Sequence, residues 1–210
     1  MKELDASNKS ILNLCGGKIN PLCYDDSIKD CFLINLDKNY LIEDSLVHIR
    51  EEHNIFQTNI KFNIQNRYHR RNYINYNVYD FLERYDINFD IICIYRFLEH
   101  VSKTNILYFI YLLSTCTKPG AILDIIVPDY KILAKRILEE NVYSSDFESD
   151  DIITTYELLN DPENPHVSIW TRDRINKFFT LENRFKIDYI KENYEFDGRN
   201  IYLRTIIERI

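Results

Sequence analysis

The chain has 210 residues, 45% of them hydrophobic, and a formal net charge of −7. That length suits one domain with a substantial core and is short for two. With 28% charged residues, four glycines and five prolines, collagen-like, low-complexity and linker-rich architectures are excluded. The acidic balance argues against a non-specific nucleic-acid binder, whose affinity comes from neutralising phosphates.

Ser10 to Gly17 is an apolar run leading into a glycine pair, the pattern of a buried strand that ends in a tight turn. Cys31 to Asp37 is a second apolar run ending on an acid. Glu43 to Arg50 can start a helix, and Asn66 to Arg71 is a short basic cluster. Ile74 to Val78 reads as a third short strand, ending at Asp80. Phe89 to Tyr95 is strongly apolar, as expected of a strand buried on both faces. Leu98 to Val101 follows, and then Ser102 or Thr104 can cap a helix. Ile106, Ile110 and Leu113 share one face of that helix, which Lys118-Pro-Gly120 should stop.

Ala121 to Val127 is another buried strand, closed by Pro128 and Asp129. Tyr130 to Glu140 reads as a helix. Ser144 to Asp151 reads as an acidic surface loop, and Asp161 to Pro165 as a turn. Thr171 caps a helix running to Phe179. Two further strands lie near Phe185 to Ile190 and Ile201 to Ile207, with no long helix between them, so they suit an antiparallel hairpin at a sheet edge. Strands alternating with helices predict a parallel sheet covered on both faces. Sixteen tyrosines and twelve phenylalanines supply large packing areas.

The five cysteines, Cys15, Cys23, Cys31, Cys93 and Cys116, are odd in number and form no CxxC pair. They read as free thiols in a reducing, intracellular compartment. Metal-ligand spacing is absent from the sequence, so no metal is expected. The N-terminus lacks a signal-peptide pattern, and the longest apolar run, Ile106 to Leu113, is far short of a membrane span. A cytoplasmic protein without a membrane segment is expected. The high Asn, Ile, Tyr and Lys content suggests an AT-rich genome, phage and viral ones included, in which case the location is the host cytoplasm.

The order of these motifs resembles the class I S-adenosylmethionine-dependent methyltransferases, over roughly Ile11 to Ile207. The carrying pieces are Leu12-Asn-Leu-Cys-Gly-Gly17, Leu36-Asp37, Tyr79-Asp80-Phe81, Phe89-Asp-Ile-Ile-Cys-Ile-Tyr-Arg-Phe-Leu-Glu-His-Val101 and Lys118-Pro-Gly-Ala-Ile-Leu-Asp-Ile-Ile-Val-Pro-Asp129. His166 followed by Trp170-Thr171 adds a sixth. The resemblance implies an α/β, Rossmann-like fold: a mostly parallel seven-stranded sheet, helices on both faces and an antiparallel C-terminal hairpin. It implies one domain over 1–210, with 41–71 a lid or insertion and 141–165 a loop-rich insertion.

The cofactor it implies is S-adenosylmethionine, and the acceptor a small molecule or glycan-type group. Cys15, Gly16 and Gly17 would line the methionine part, glycine allowing close backbone approach. Asp37, with Lys38 beside it, would accept from the ribose hydroxyls. Asp80 would accept from the adenine amino group, with Phe81 in apolar contact. Tyr95 and Arg96 would border the methionine end. Glu99 and His100 would lie near the acceptor, and Asp129 and Tyr130 would line its pocket. His100 is the first candidate base and His166 the second.

Other readings stay open. Gly16-Gly17 also suits a plain turn, and Asp37 and Asp80 suit strand-end caps. His100 also suits a turn residue satisfied by backbone, and His166 a structural or substrate-facing role. Arg67, Arg70 and Arg71 form a solvated face or a docking point for a protein partner or a phosphate-bearing acceptor. Cys15 stands where the family has glycine, Asn13 where it has a carboxylate, and Arg96 brings positive charge near a sulfonium. A second reading is therefore a methyltransferase fold that has lost its chemistry and serves as a binding or assembly component. DNA-base methylation is disfavoured: Tyr95-Arg96-Phe97-Leu98 stands where the Asn/Asp-Pro-Pro-aromatic motif would be, and no Pro-Cys occurs. A generic dinucleotide site is disfavoured because Gly17 is followed by Lys18-Ile-Asn-Pro21, with no G-x-G-x-x-G. The oligomeric state is not legible in the sequence.

Overall fold

The computed structural model describes residues 9–14, 32–36, 72–74, 77–84, 88–139, 166–181, 183–196 and 199–210. The expectations for 41–71 and 141–165, including the helix from Glu43, the basic cluster and the acidic loop, lie outside these residues.

The elements run β1 (Ser10–Leu14), β2 (Phe32–Leu36), β3 (Asn72–Ile74), α1 (Val78–Arg84), β4 (Phe89–Tyr95), a 3₁₀ turn (Leu98–His100), α2 (Ile106–Thr115), β5 (Thr117–Pro128), α3 (Tyr130–Glu139), α4 (Arg172–Thr180), β6 (Phe185–Phe196) and β7 (Arg199–Arg209). The strands join one mixed sheet in the order β3-β2-β1-β4-β5-β7-β6. The first five are mutually parallel. β7 enters antiparallel to both β5 and β6. The chain moves outward from β1 to β3, then returns to pair β4 on the other side of β1. Such a reversal opens a crevice beyond the carboxyl ends of β1 and β4.

Side chains along β4 alternate between two cores. From Ile91 onward Ile92 and Ile94 join one cluster and Ile91, Cys93 and Tyr95 the other, while Phe89, before the register shift at Phe89/Ile91, joins the first. The pleat sends successive residues to opposite faces, so the stretch covered on both sides, Ile91 to Tyr95, is apolar throughout. α1, α2 and α4 cover the first face through Phe81, Phe109, Ile110, Ile175 and Phe179. α3 covers the second through Leu133. Each fully buried Leu, Ile or Phe contributes about 1.5–3 kcal/mol.

Three local expectations are corrected. β3 stops at Ile74, and Val78 opens a helix instead of closing a strand. Asn77 decides this: its Oδ1 accepts from the amides of Tyr79 at 2.9 Å and Asp80 at 3.4 Å, as an N-cap does. Neither Ser102 nor Thr104 caps α2; their hydroxyls bond each other at 2.9 Å, and Asn105 holds the cap position without a side-chain bond. Lys118-Pro-Gly120 does not stop α2, which has already ended at Thr115. There the hydroxyls of Ser114, Thr115 and Thr117 donate to the carbonyls of Tyr111, Leu112 and Leu113, groups a helix end leaves orphaned. The Lys-Pro-Gly segment opens β5, where the register jumps: Phe89 faces Thr117 but Ile91 faces Ile122. Gly120 takes φ 79° there, a backbone that side chains disfavour. The expected Thr171 cap is present, its Oγ1 accepting from the Arg174 amide at 3.3 Å.

Among the described residues Cys93 and Cys116 are buried and in no disulfide, and burial pushes Cys116 up to about 12, far from a reactive thiolate. No helix among the described residues is long and apolar enough to cross a membrane.

One buried ion pair joins β5 to β7. Arg204 Nε and Nη2 donate to Asp124 Oδ1 at 2.9 Å and Oδ2 at 2.7 Å. The Tyr95 hydroxyl, from β4, donates to the same Oδ2 at 2.7 Å. Asp124 faces Ile206 across the ladder and Arg204 faces Ile126, so the two are diagonal neighbours on one face. Burial raises the Tyr95 phenol well above its ordinary value, and the Asp124 carboxylate adds to it. Burial would lower Arg204, but Asp124 outweighs it and holds the guanidinium charged. Removing one partner of a buried pair strands the other, so Asp124→Ala should cost about 3–5 kcal/mol in equilibrium denaturation; a loss under about 1 kcal/mol, the level of an exposed pair, would contradict this account.

Asp90 ties β1 to β4. Its Oδ2 accepts from Ser10 N at 2.8 Å and Ser10 Oγ at 2.6 Å, and Lys118 Nζ lies 3.0 Å from Oδ1. Burial pushes this carboxyl up, but the Ser10 bonds and the Lys118 charge prevail and hold it at about 2. A depressed folded pKa stabilises above the unfolded value, 3.8, and that stability is lost as pH falls through about 2. Asp90→Asn should therefore lower the denaturation midpoint at pH 7, with the gap from wild type closing between about pH 4 and pH 2. A gap independent of pH would refute the assignment.

Candidate functional site

The carboxyl end of β4 turns sharply. Arg96 has φ 53°, a left-handed conformation uncommon for a residue with a side chain. Its amide donates to the Ile126 carbonyl of β5 at 2.8 Å. The turn delivers the chain into Leu98–His100, with Leu98 anchored in the first core and Glu99 fully buried.

A distant segment is pinned onto this turn by backbone bonds. Val167 N and Ser168 N both donate to the Glu99 carbonyl, at 2.8 and 3.0 Å. Ser168 Oγ donates to the Leu98 carbonyl at 2.8 Å and accepts from Trp170 Nε1 at 2.9 Å. Trp170 is buried, and its carbonyl accepts from Tyr130 N at 3.2 Å. Ser168 and Trp170 face inward while Val167 and Ile169 are exposed, the period of extended chain.

This pinning brings His166 against His100. Their rings meet edge to face at 4.8 Å between centroids. Tyr130, the first residue of α3, places its hydroxyl 2.6 Å from His166 Nδ1. One donor atom each from Glu99, His100 and His166 lies within 4.8 Å of the others.

Glu99 has 0% exposure, and neither carboxylate oxygen has a hydrogen-bond partner from another described residue. Burial pushes its pKa up to about 8, against smaller opposing pulls from its own amide and the Arg96 guanidinium. Burial also raises the Tyr130 phenol, with the Glu99 charge adding to it. Asp129 is committed to the start of α3, its Oδ1 accepting from Lys131 N at 3.0 Å.

Of the residues expected at a cofactor site, Cys15, Gly16, Gly17, Asp37 and Lys38 lie outside the described residues, as do Arg67, Arg70 and Arg71. β1 and β2 end at Leu14 and Leu36, so the first five follow directly from described strand ends. Asp80 is exposed on the first turn of α1. Phe81 is 1% exposed and belongs to the core; the helix that replaced the expected strand turns it inward, so it offers no apolar face to a ligand. Tyr95 is likewise buried on the second face, its hydroxyl taken up by Asp124. Arg96 is half-buried at the strand end. His100 and His166 are brought together. Ser168, which does the pinning, carries no motif signal; only the in-out alternation from Val167 to Trp170 hints at it.

No family model matches the chain, and no curated protein matches it. Solved structures do. A SAM-dependent methyltransferase from Methanosarcina mazei aligns with a TM-score of 0.54 at 20% identity, over 99% of this chain and 94% of that one. The 1,6-didemethyltoxoflavin-N1-methyltransferase of Burkholderia thailandensis, solved with 1,6-didemethyltoxoflavin and S-adenosylhomocysteine, aligns with a TM-score of 0.58 at 10% identity, over 97% and 72%. The pyocyanin biosynthetic protein PhzM aligns with a TM-score of 0.54 at 11% identity; this chain is covered over 99% but spans only 52% of PhzM. These likenesses establish a methyltransferase-like α/β fold.

Replacing Ser168 by Ala leaves the Trp170 N–H buried and unpartnered and removes one anchor of the 166–170 segment. The expected loss is about 1–3 kcal/mol, read in urea from the fluorescence of Trp170, the single tryptophan. An unchanged midpoint would mean the segment is held by other contacts.

Proposed function

We propose that this chain, which has the fold of S-adenosylmethionine-dependent methyltransferases, transfers a methyl group from S-adenosylmethionine to a small-molecule or glycan-type acceptor. The observation that carries the reading is a coincidence of place. The crevice between β1 and β4, where the strand order reverses, opens at the same edge as the Glu99, His100 and His166 cluster. Ligands of open α/β sheets lie in such crevices, and a cluster of titratable groups beside one is the expected place for an acceptor.

S-adenosylmethionine supplies an electrophilic methyl group on a cationic sulfonium. The residues around the crevice fit it in chemistry. Gly16 and Gly17 follow β1, and Asp37 and Lys38 follow β2, where backbone approach and ribose recognition are needed. Asp80 is the remaining candidate for the adenine edge, and the apolar contact expected of Phe81 must come from elsewhere. Arg96 brings a positive charge that is unfavourable beside a sulfonium. The acceptor lies against His100 and His166, and its proton is handled by that cluster. Alignment of the two reactants is the main contribution of the chain.

The remaining assignments follow from the same reading. Residues 1–210 form one domain, with 41–71 a lid or insertion and 141–165 a loop-rich insertion. Arg67, Arg70 and Arg71 form a surface for an acidic or phosphate-bearing partner, DNA bases are not substrates, and the protein works in the cytoplasm.

Titration calorimetry with S-adenosylmethionine and S-adenosylhomocysteine tests the reading. Binding near the micromolar range, about −8 kcal/mol, is expected, and Asp37→Ala should abolish it. Absence of binding at millimolar cofactor by a folded protein would sink the proposal.

A further inference from the structure

We propose that Glu99, His100 and His166 form a binding site for one divalent transition-metal cation of the manganese-to-zinc series. The site is built from two segments far apart in sequence, held together by the Val167 and Ser168 amides on the Glu99 carbonyl. It lies at the carboxyl end of β4, beside the crevice.

Three observations carry it. The donor atoms already lie within 4.8 Å of one another. Ligands about 2.0–2.2 Å from a tetrahedral cation stand about 3.3–3.6 Å apart, so side-chain rotation that closes the set by up to about 1.5 Å completes it. The donor set is one carboxylate oxygen and two imidazole nitrogens. That mixture suits borderline cations, whereas magnesium and calcium favour all-oxygen surroundings. Finally, the Glu99 carboxylate is fully buried, without a hydrogen-bond partner from another described residue. A buried carboxylate without a partner is costly, and a cation removes that cost.

The surroundings agree. Tyr130 holds His166 Nδ1 at 2.6 Å, the kind of partner that orients a metal-ligating imidazole through its other nitrogen. Three protein ligands leave coordination positions open, as catalytic sites do and closed structural sites do not. The cation site stands on its own geometry. Its consequence rests on the methyl-transfer reading: a cation beside the methyl donor would lower the pKa of an approaching hydroxyl, so the acceptor class is a hydroxyl rather than an amine. His100 and His166 then act as ligands rather than bases, and the proton of the acidified hydroxyl is released to solvent. The opposing picture is an edge-to-face histidine pair packed over a protonated glutamic acid.

The test uses the chelator-stripped full chain without S-adenosylmethionine. Free Mn²⁺ is followed by electron paramagnetic resonance during titration, and Zn²⁺ and Mg²⁺ by calorimetry. One Mn²⁺ per chain is expected, with Mg²⁺ weaker. His100→Ala and His166→Ala, shown to be folded by circular dichroism, should each weaken Mn²⁺ by well over about tenfold, and Tyr130→Phe by about tenfold. No binding by the wild type, or equal binding by both histidine variants, overturns the site. Cofactor binding is measured separately. Cofactor binding without Mn²⁺ binding removes only this inference, and Mn²⁺ binding without cofactor binding removes only the methyl-transfer reading.

Discussion

Two amide groups converging on one carbonyl oxygen hold the chemistry of this molecule in place. The Glu99 carbonyl accepts from Val167 and Ser168, using both of its lone pairs. Backbone bonds of this kind are indifferent to side-chain identity, so the position of His166 is set by its neighbours' amides more than by its own ring. The same turn needs Arg96 in a left-handed conformation, a local strain that persists only where the surroundings over-determine it. Here those surroundings are the Arg96 amide on Ile126, Leu98 in the core and Ser168 on the Leu98 carbonyl. The edge cluster is thus the product of backbone bonds made elsewhere.

The Asp124–Arg204 pair acts one layer deeper. A buried ion pair is weak evidence for net stability, because desolvation opposes the attraction. Its value lies in register. A slip of β7 by one residue against β5 would carry every side chain of β7 to the other face and take Arg204 away from Asp124. The register matters at the far end of β5, where Asp129 N bonds Ile201 O and Tyr130 N bonds Trp170 O. Those bonds aim the Tyr130 hydroxyl at His166. A charge pair between two strands therefore reaches the site through one helix start.

What was legible in the sequence follows from periodicity. β4 from Ile91 onward, and β5 on either side of Asp124, are apolar runs because both of their faces are covered, and this pattern survives without any tertiary knowledge. Failures cluster where a short polar side chain outbids propensity. Asn77 turned an apparent strand into α1, and the hydroxyls of Ser114, Thr115 and Thr117 ended α2 before its Pro-Gly signal. Phe81 and Tyr95 stood in motif positions yet faced the core, because a motif gives the order of residues and not the direction of a side chain. The pairing of His100 with His166 was out of reach for the same reason, since nothing in either neighbourhood names the other. The burial of Glu99 was also hidden: a Leu-Glu-His sequence gives no sign that its acid points away from water.

Arg96 and Glu99 lie three residues apart at the end of β4, and the guanidinium acts on the carboxyl through its charge. Alone, the guanidinium repels the charge of a sulfonium, and alone the carboxylate is an uncompensated buried charge. At the end of β4 the guanidinium draws the Glu99 pKa down from where burial would leave it. The carboxylate remains fully buried without a hydrogen-bond partner from another described residue, so a proton or a cation offsets its charge. A proton leaves the two histidines as bystanders packed against a neutral acid. A cation gives the acid, both imidazoles and the Tyr130 hydroxyl, four polar groups from three segments, one common site.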